Sequence, residues 1–355
     1  MKSEFDTFIK NLSHIAPNSR SEMLHTIKTL LSKSLLQVID THNTSSAVFI
    51  FLADSKKYVL KAEYGIANAT SKEIIWYKNL INQSLAPKYL NSTGSGNCAF
   101  LFLEYVENAQ TLDEVALGQI EEEKCWNYLD SVIKKEKELF EASGPRTIPL
   151  AQMDKLYIDK FYARAAEAKQ FTYLYDLLSL PYLTINGSRV FSPVHYLQRV
   201  KNSALFNYLT PKNVGMTHGD LHCGNILIAT NDDAYLVDPN GNLHMPLEYD
   251  YGKLLHSIHG GYGQIMKQMY VLEENKNRDY HFRVQIPAVY QASFNSFTRK
   301  ITDHELHKSM YAEALHFATM LPHHAANRQE TTALFLRCVQ VFDELFDMLG
   351  KRKNA

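Results

Sequence analysis

With 355 residues, 45% of them hydrophobic, the chain is long enough to bury a large core and to divide into two lobes. Its 37 Lys and Arg against 38 Asp and Glu leave a formal net charge of -1, which excludes a global basic field for nucleic acid or an anionic membrane. No stretch approaches the roughly 20 apolar residues of a membrane span, the start Met1-Lys2-Ser3-Glu4-Phe5-Asp6 lacks a signal-peptide profile, and Cys98, Cys125, Cys223 and Cys338 form no C-x-x-C pair, so a cytoplasmic protein with free thiols is expected.

Residues 1–40 read as amphipathic helix. Phe5, Phe8, Ile9 and Leu12 make one stripe; Met23, Ile27, Leu30, Leu31, Leu35 and Leu36 make another, with a break at Pro17-Asn18. The expectation is a helical extension packed on the body of the fold. The character changes over 41–63, where apolar 47–52, polar 54–57 and 58–63 predict a β-hairpin. A helix is predicted over 70–83, with Glu73 in its first turn, where a carboxylate suits the helix dipole. Strands follow at 88–90 and 99–106 about a Gly94-Ser95-Gly96-Asn97 turn, and Thr111-Leu112-Asp113-Glu114 opens the next element. Helical periodicity then dominates 120–140, 151–180 and 193–209. The aromatic concentration at Tyr157, Phe161, Tyr162, Phe171, Tyr173 and Tyr175 reads as core, as does the apolar spacing of 332–349.

The most informative stretch is 214–241. An apolar lead runs into His218-Gly219-Asp220, and Asn225 follows Asp220 by five positions. A strand at 226–229, a turn at Asn231-Asp232-Asp233 and a returning strand at 234–237 make a hairpin, with Asp238 just past its end. Phosphoryl transfer needs these parts: a carboxylate to orient the attacking hydroxyl, and an amide oxygen and a second carboxylate to hold Mg²⁺. His218, His222 and Cys223 suggest zinc, but H-x-x-x-H zinc pairs sit on helices, whereas Gly219 and the flanking strand signals make this a loop.

Protein kinases carry H-R-D-x-x-x-x-N followed by D-F-G, with the same Asp-to-Asn interval. Here Gly219 replaces the Arg and Asp238-Pro239-Asn240-Gly241 replaces D-F-G, while no A-P-E segment follows between 238 and 260. The segment instead resembles the aminoglycoside phosphotransferase and choline kinase family, whose hallmark is H-G-D-L-H-x-G-N-I-L. The resemblance implies an α+β, protein-kinase-like bilobal fold. Residues 41–107 would be a mainly β N-lobe ending in a hinge, and 108–355 a larger helical C-lobe, with 1–40 outside the resemblance.

It also implies roles. Asp220 would orient and deprotonate the hydroxyl; Asn225 and Asp238 would hold Mg²⁺. Lys61, in V-L-K-A, would meet the nucleotide phosphates, with Glu73 steadying it by an ion pair. The backbone of Glu104 and Val106 would bind adenine. Ser45 and Ser46, in the stretch 44–46, would stand in for the absent Gly-rich loop. His218 and Asp250 would brace the catalytic loop.

The implied activity is ATP- and Mg²⁺-dependent phosphorylation of a small-molecule hydroxyl, with GTP as the other donor and a sugar or amino sugar as acceptor. The stretch 249–262 and Met320-Leu321-Pro322-His323-His324 resemble phosphotransferases associated with capsule and surface-sugar biosynthesis. Nucleotide and acceptor are the expected partners, without nucleic acid or membrane, for a monomer or homodimer. The alternative is a nucleotide-binding pseudokinase acting as a regulatory module. A polycationic drug acceptor would call for an acidic cleft, which no C-lobe cluster clearly supplies.

Overall fold

The computed structural model describes residues 3–33, 37–43, 46–65, 69–80, 84–95, 97–118, 120–275 and 278–350. They form two compact units, Met1–Gln110 with Leu227–Leu243, and Thr111–Ile226 with His244–Ala355.

In the first unit, β1 (Gln37–Asn43), β2 (Ala47–Ala53), β3 (Lys56–Tyr64), β4 (Tyr89–Ser95) and β5 (Cys98–Glu104) form one antiparallel sheet in the order β1-β2-β3-β5-β4. Burial alternates along β2, so Ala47, Phe49, Phe51 and Ala53 point to one face. The helices α1 (Glu4–Leu12) and α2 (Arg20–Lys33) cover that face with Phe8, Ile9, Leu12, Met23, Ile27 and Leu31. Phe5 stacks on Tyr58 at 4.3 Å, and Phe8 meets Phe51 edge-on at 5.3 Å. The helical reading of 1–40 therefore needs correcting at its end. Residues 37–43 pair with β2, because a sheet edge supplies backbone partners that local periodicity does not register. Helix α3 (Ala69–Asn79) stops short of the predicted 83.

The second unit is mainly helical. Its long helices are Glu122–Ala142, Leu247–Ile258, Ala288–Lys300, Asp303–His324 and Arg328–Met348. Thr111 opens this unit with a capping box, its hydroxyl accepting from Glu114 N–H while the Glu114 carboxylate returns to the Thr111 backbone. The predicted helix over 151–180 is broken into pieces, including a π-turn at Lys155–Asp159 and an extended residue at Phe171. The predicted 193–209 helix likewise divides into Pro193–Lys201 and Leu205–Leu209. A four-stranded sheet was not anticipated. It joins the hairpin Tyr182–Ile185/Ser188–Phe191 to the hairpin Tyr270–Asn275/Asp279–Val284 through a parallel pair.

Candidate active site

Each unit gathers part of the predicted chemistry. In the first, the pleat of β3 turns Leu60 and Ala62 into the aromatic core and Lys61 to the other face. Glu73, in the second turn of α3, is buried on that face and accepts from Lys61 Nζ at 2.6 Å. Lys61 Nζ also donates to Asp238 Oδ1 at 2.9 Å. Burial would lower the Lys61 pKa, but the Asp238 and Glu73 carboxylates outweigh it and raise the net value. Burial pushes the Glu73 carboxyl up to about 7, against the pull of Lys61.

Asp238 is placed by the hairpin of Ile226–Ile228 and Ala234–Leu236, which Leu236 N–H ties to Leu85 O at 2.8 Å. Its φ of 57° lies in the left-handed region, uncommon outside glycine and concentrated at functional sites. Gly241 closes the loop at φ 74°, and a Cβ there would come within 2.3 Å of the Lys72 backbone. The Asp238 carboxylate is 59% exposed, so its second oxygen is open to a cation.

Ser46 departs from expectation. Its side chain is buried, and its hydroxyl lies 3.4 Å from both Glu63 Oε2 and Thr70 Oγ1, so it ties β2 to the start of α3. A phosphate-facing hydroxyl at Ser46 is therefore not what the fold presents. Ser45 lies outside the described residues. Glu104 ends β5 with its N–H donated to Lys88 O at 3.0 Å, and Val106 follows two residues beyond the strand.

In the second unit, Gly219 adopts φ 79° between His218 and Asp220, a turn that the Arg of the kinase pattern would strain. Its N–H donates to Asp250 Oδ2 at 2.7 Å, from the first turn of the Leu247–Ile258 helix. His218 N–H donates to Glu136 Oε1 at 2.7 Å, and His218 Nδ1 accepts from Asp220 N–H at 3.3 Å. Glu136 and Asp250 are fully buried. Burial, with Asp250 beside it, pushes the Glu136 carboxyl well up, while Glu136 Oε1 and Asp250 Oδ2 receive the loop's N–H groups. Asn225 Nδ2 donates to Asp220 O at 3.0 Å, which leaves Oδ1 as the atom suited to a hard cation.

Asp220 Oδ1 meets Lys253 Nζ at 2.8 Å, and His222 Nε2 lies 3.9 Å from its other oxygen. Burial would raise the Asp220 carboxyl, but Lys253, with the two histidines, holds it well below the usual carboxylate range. The oxygen donors Asn225 and Asp238 and the ammonium of Lys61 fit a magnesium–nucleotide complex in their chemistry. Lys253 and Glu136 were passed over in the sequence. Glu136 sits in the polar run Lys134-Lys135-Glu136-Lys137, and Lys253 sits three residues after Asp250. That i,i+3 spacing was the available signal for Lys253.

The profile of the phosphotransferase enzyme family (APH) matches residues 38–280, more than half of the chain, and the chain belongs to that family. It is thus a phosphotransferase of protein-kinase-like fold. No curated protein sequence matches it. Among solved structures it is similar to a thermostable mutant of aminoglycoside phosphotransferase APH(4)-Ia in ternary complex with ADP and hygromycin B, at TM-score 0.55 and 13% identity over 89% of this chain and 97% of that one. It is also similar to choline kinase LicA from Streptococcus pneumoniae, at TM-score 0.50 and 14% identity over 90% and 99% of the two chains. At such identities the likeness is one of fold. Among the described residues no helix is long and apolar enough to cross a membrane.

Proposed function

We propose that this phosphotransferase moves the γ-phosphoryl group of ATP to a hydroxyl of a small molecule, a sugar or amino sugar. The carrying observation is Lys61, held by Glu73 and Asp238 on the strand face opposite the core, as a phosphate-binding lysine requires. That APH(4)-Ia is solved with ADP and hygromycin B supports a nucleotide donor and a hydroxyl-bearing acceptor. Mg²⁺, for which Asn225 Oδ1 in one unit and the Asp238 carboxylate in the other have the suitable donor chemistry, would neutralise phosphate charge.

The chain's own residues supply the rest. Lys61 attracts the phosphates, and Glu73 keeps its ammonium in place. Asp220 receives the hydroxyl. Paired with Lys253 it is a weak base, so its main work is to fix the nucleophile's direction and to take the proton as the bond to phosphorus forms. His218, Glu136 and Asp250 hold the loop that carries it. Glu104 and Val106 would offer backbone groups to adenine.

The test is ADP release from Mg²⁺-ATP across sugars, amino sugars, aminoglycosides and choline-like alcohols, with Asp220→Asn run in parallel. Acceptor-dependent release that falls at least ~10²-fold in Asp220→Asn is expected. Turnover left unchanged by Asp220→Asn would sink the mechanism. Mg²⁺-ATP binding without turnover on any acceptor would replace it with a regulatory nucleotide-binding module.

A further inference from the structure

The surroundings of Asp220 carry more positive charge than that carboxylate needs. Lys253 already pairs with it. A second ammonium, Lys160, is half-buried, and no carboxylate lies within ion-pair distance of it among the described residues. Its only hydrogen bond there is to Tyr249 Oη, at 2.9 Å. Tyr249 and Lys253 are four residues apart, so they share one face of the Leu247–Ile258 helix, and Lys160 reaches that face from its own helix, Lys160–Glu167.

The placement of Lys160 is built. The π-turn Lys155–Asp159 directly precedes it, a rare backbone form that gathers at functional sites. Tyr157 in that turn stacks on Tyr311 at 5.8 Å and meets Tyr249 edge-on at 6.0 Å. Arg164, one turn further, is satisfied by both oxygens of Glu167 at 3.0 and 2.7 Å. The acidic groups on the other side are engaged too: Asp113 accepts from Tyr290 Oη at 2.7 Å, and Glu330 pairs with His324 at 2.6 Å. Burial first, then Lys253 and Arg164, pulls the Lys160 ammonium down to about 8, against a smaller opposing pull from Asp220. An ammonium with no carboxylate in direct contact, and sharing the charge of Asp220 with Lys253, is costly to desolvate, and a ligand anion would offset that cost.

We propose that Lys160, set beside Lys253 by the π-turn and Tyr249, binds an anionic group, phosphate or carboxylate, on the acceptor whose hydroxyl Asp220 receives. The inference rests on the small-molecule kinase reading and narrows its acceptor. A polyamine acceptor would bring like charge to two lysines. A phosphorylated or carboxylated sugar brings the missing partner.

The test uses the full chain saturated with Mg²⁺-AMP-PNP, so that the nucleotide site is filled, and titrates glucose 6-phosphate, glucuronate, glucose and glucosamine by calorimetry. The two anions should bind at least roughly tenfold more tightly than the neutral and amino sugars, the effect of one charge-assisted hydrogen bond. Lys160→Met should remove that preference, and Lys160→Arg should keep it, with thermal melts showing that both variants fold. Glucosamine binding best, equal or absent binding of all four, or a preference that survives Lys160→Met would each overturn the proposal. No turnover is needed for these readings. Failure of the kinase reading is scored separately, as no ADP release from Mg²⁺-ATP with any acceptor. Where an anionic acceptor does turn over, its KM in Lys160→Met should rise roughly 10- to 100-fold.

Discussion

Lys253 sets how Asp220 can behave. An ammonium 2.8 Å from the carboxylate favours its ionised form and fixes one oxygen, which leaves the other for the proposed acceptor hydroxyl. Lys253→Met should lower kcat by roughly 10- to 100-fold, as expected when a charge-assisted positioning contact is removed. It should also change the pH profile. With Lys253 present, the Asp220 pKa is depressed, so the carboxylate stays charged and active to low pH. Without it the pKa returns toward the ordinary Asp value near 4, and the acid limb of kcat/KM moves up into the range about pH 4–5. An acid limb that stays put would show that Lys253 only supports the fold. Asp220, Asn225 and Asp238 stood out as candidates because phosphoryl-transfer chemistry would fix their spacing in one short stretch. Lys253 and Glu136 did not, since a charged residue on a helix looks the same in sequence whether its face is wet or buried.

At the scale of elements, the loop after the 234–236 strand depends on one close approach. Gly241 has φ 74° and no room for a side chain against the Lys72 backbone of α3. Gly241→Ala should cost about 1–3 kcal/mol of stability, read by urea unfolding, and should weaken nucleotide binding because the shift is passed to Asp238. The hairpin at 226–236 was legible from its polar turn. So was the one at 182–191 in principle, for Asn186-Gly187 sits at φ 51° and 79° between β-rich segments, the pattern a tight hairpin turn favours. It was missed because the stretch 181–192 stood only as a break between the helices read at 151–180 and 193–209. β1 was harder, since its partner is another strand rather than its own sequence.

For the molecule as a whole, an ionic network in the second unit should give stability a basic limb. His259 Nδ1 and Nε2 meet Glu313 and Glu344 at 2.9 and 2.8 Å, and Arg337 donates to the His259 carbonyl at 2.9 Å. Burial would lower the imidazole pKa, but Glu313 and Glu344 raise it to about 9. Its unfolded value is near 6.5, so its stabilising contribution is complete below about that pH and is lost as pH rises through about 9. Melting temperature should therefore fall between about pH 6.5 and 9.5, and His259→Gln should flatten that fall while costing about 1–3 kcal/mol at pH 6.5. An equal pH slope in both proteins would remove His259 as the cause. The first unit carries a more practical lesson. The family profile begins at residue 38, yet α1 and α2 cover an entire face of the sheet. A recombinant fragment cut at the family boundary would bare Phe49, Phe51 and Phe102 together, and the contiguous apolar patch would drive aggregation while Lys61, Glu73 and Asp238 all remained in the chain.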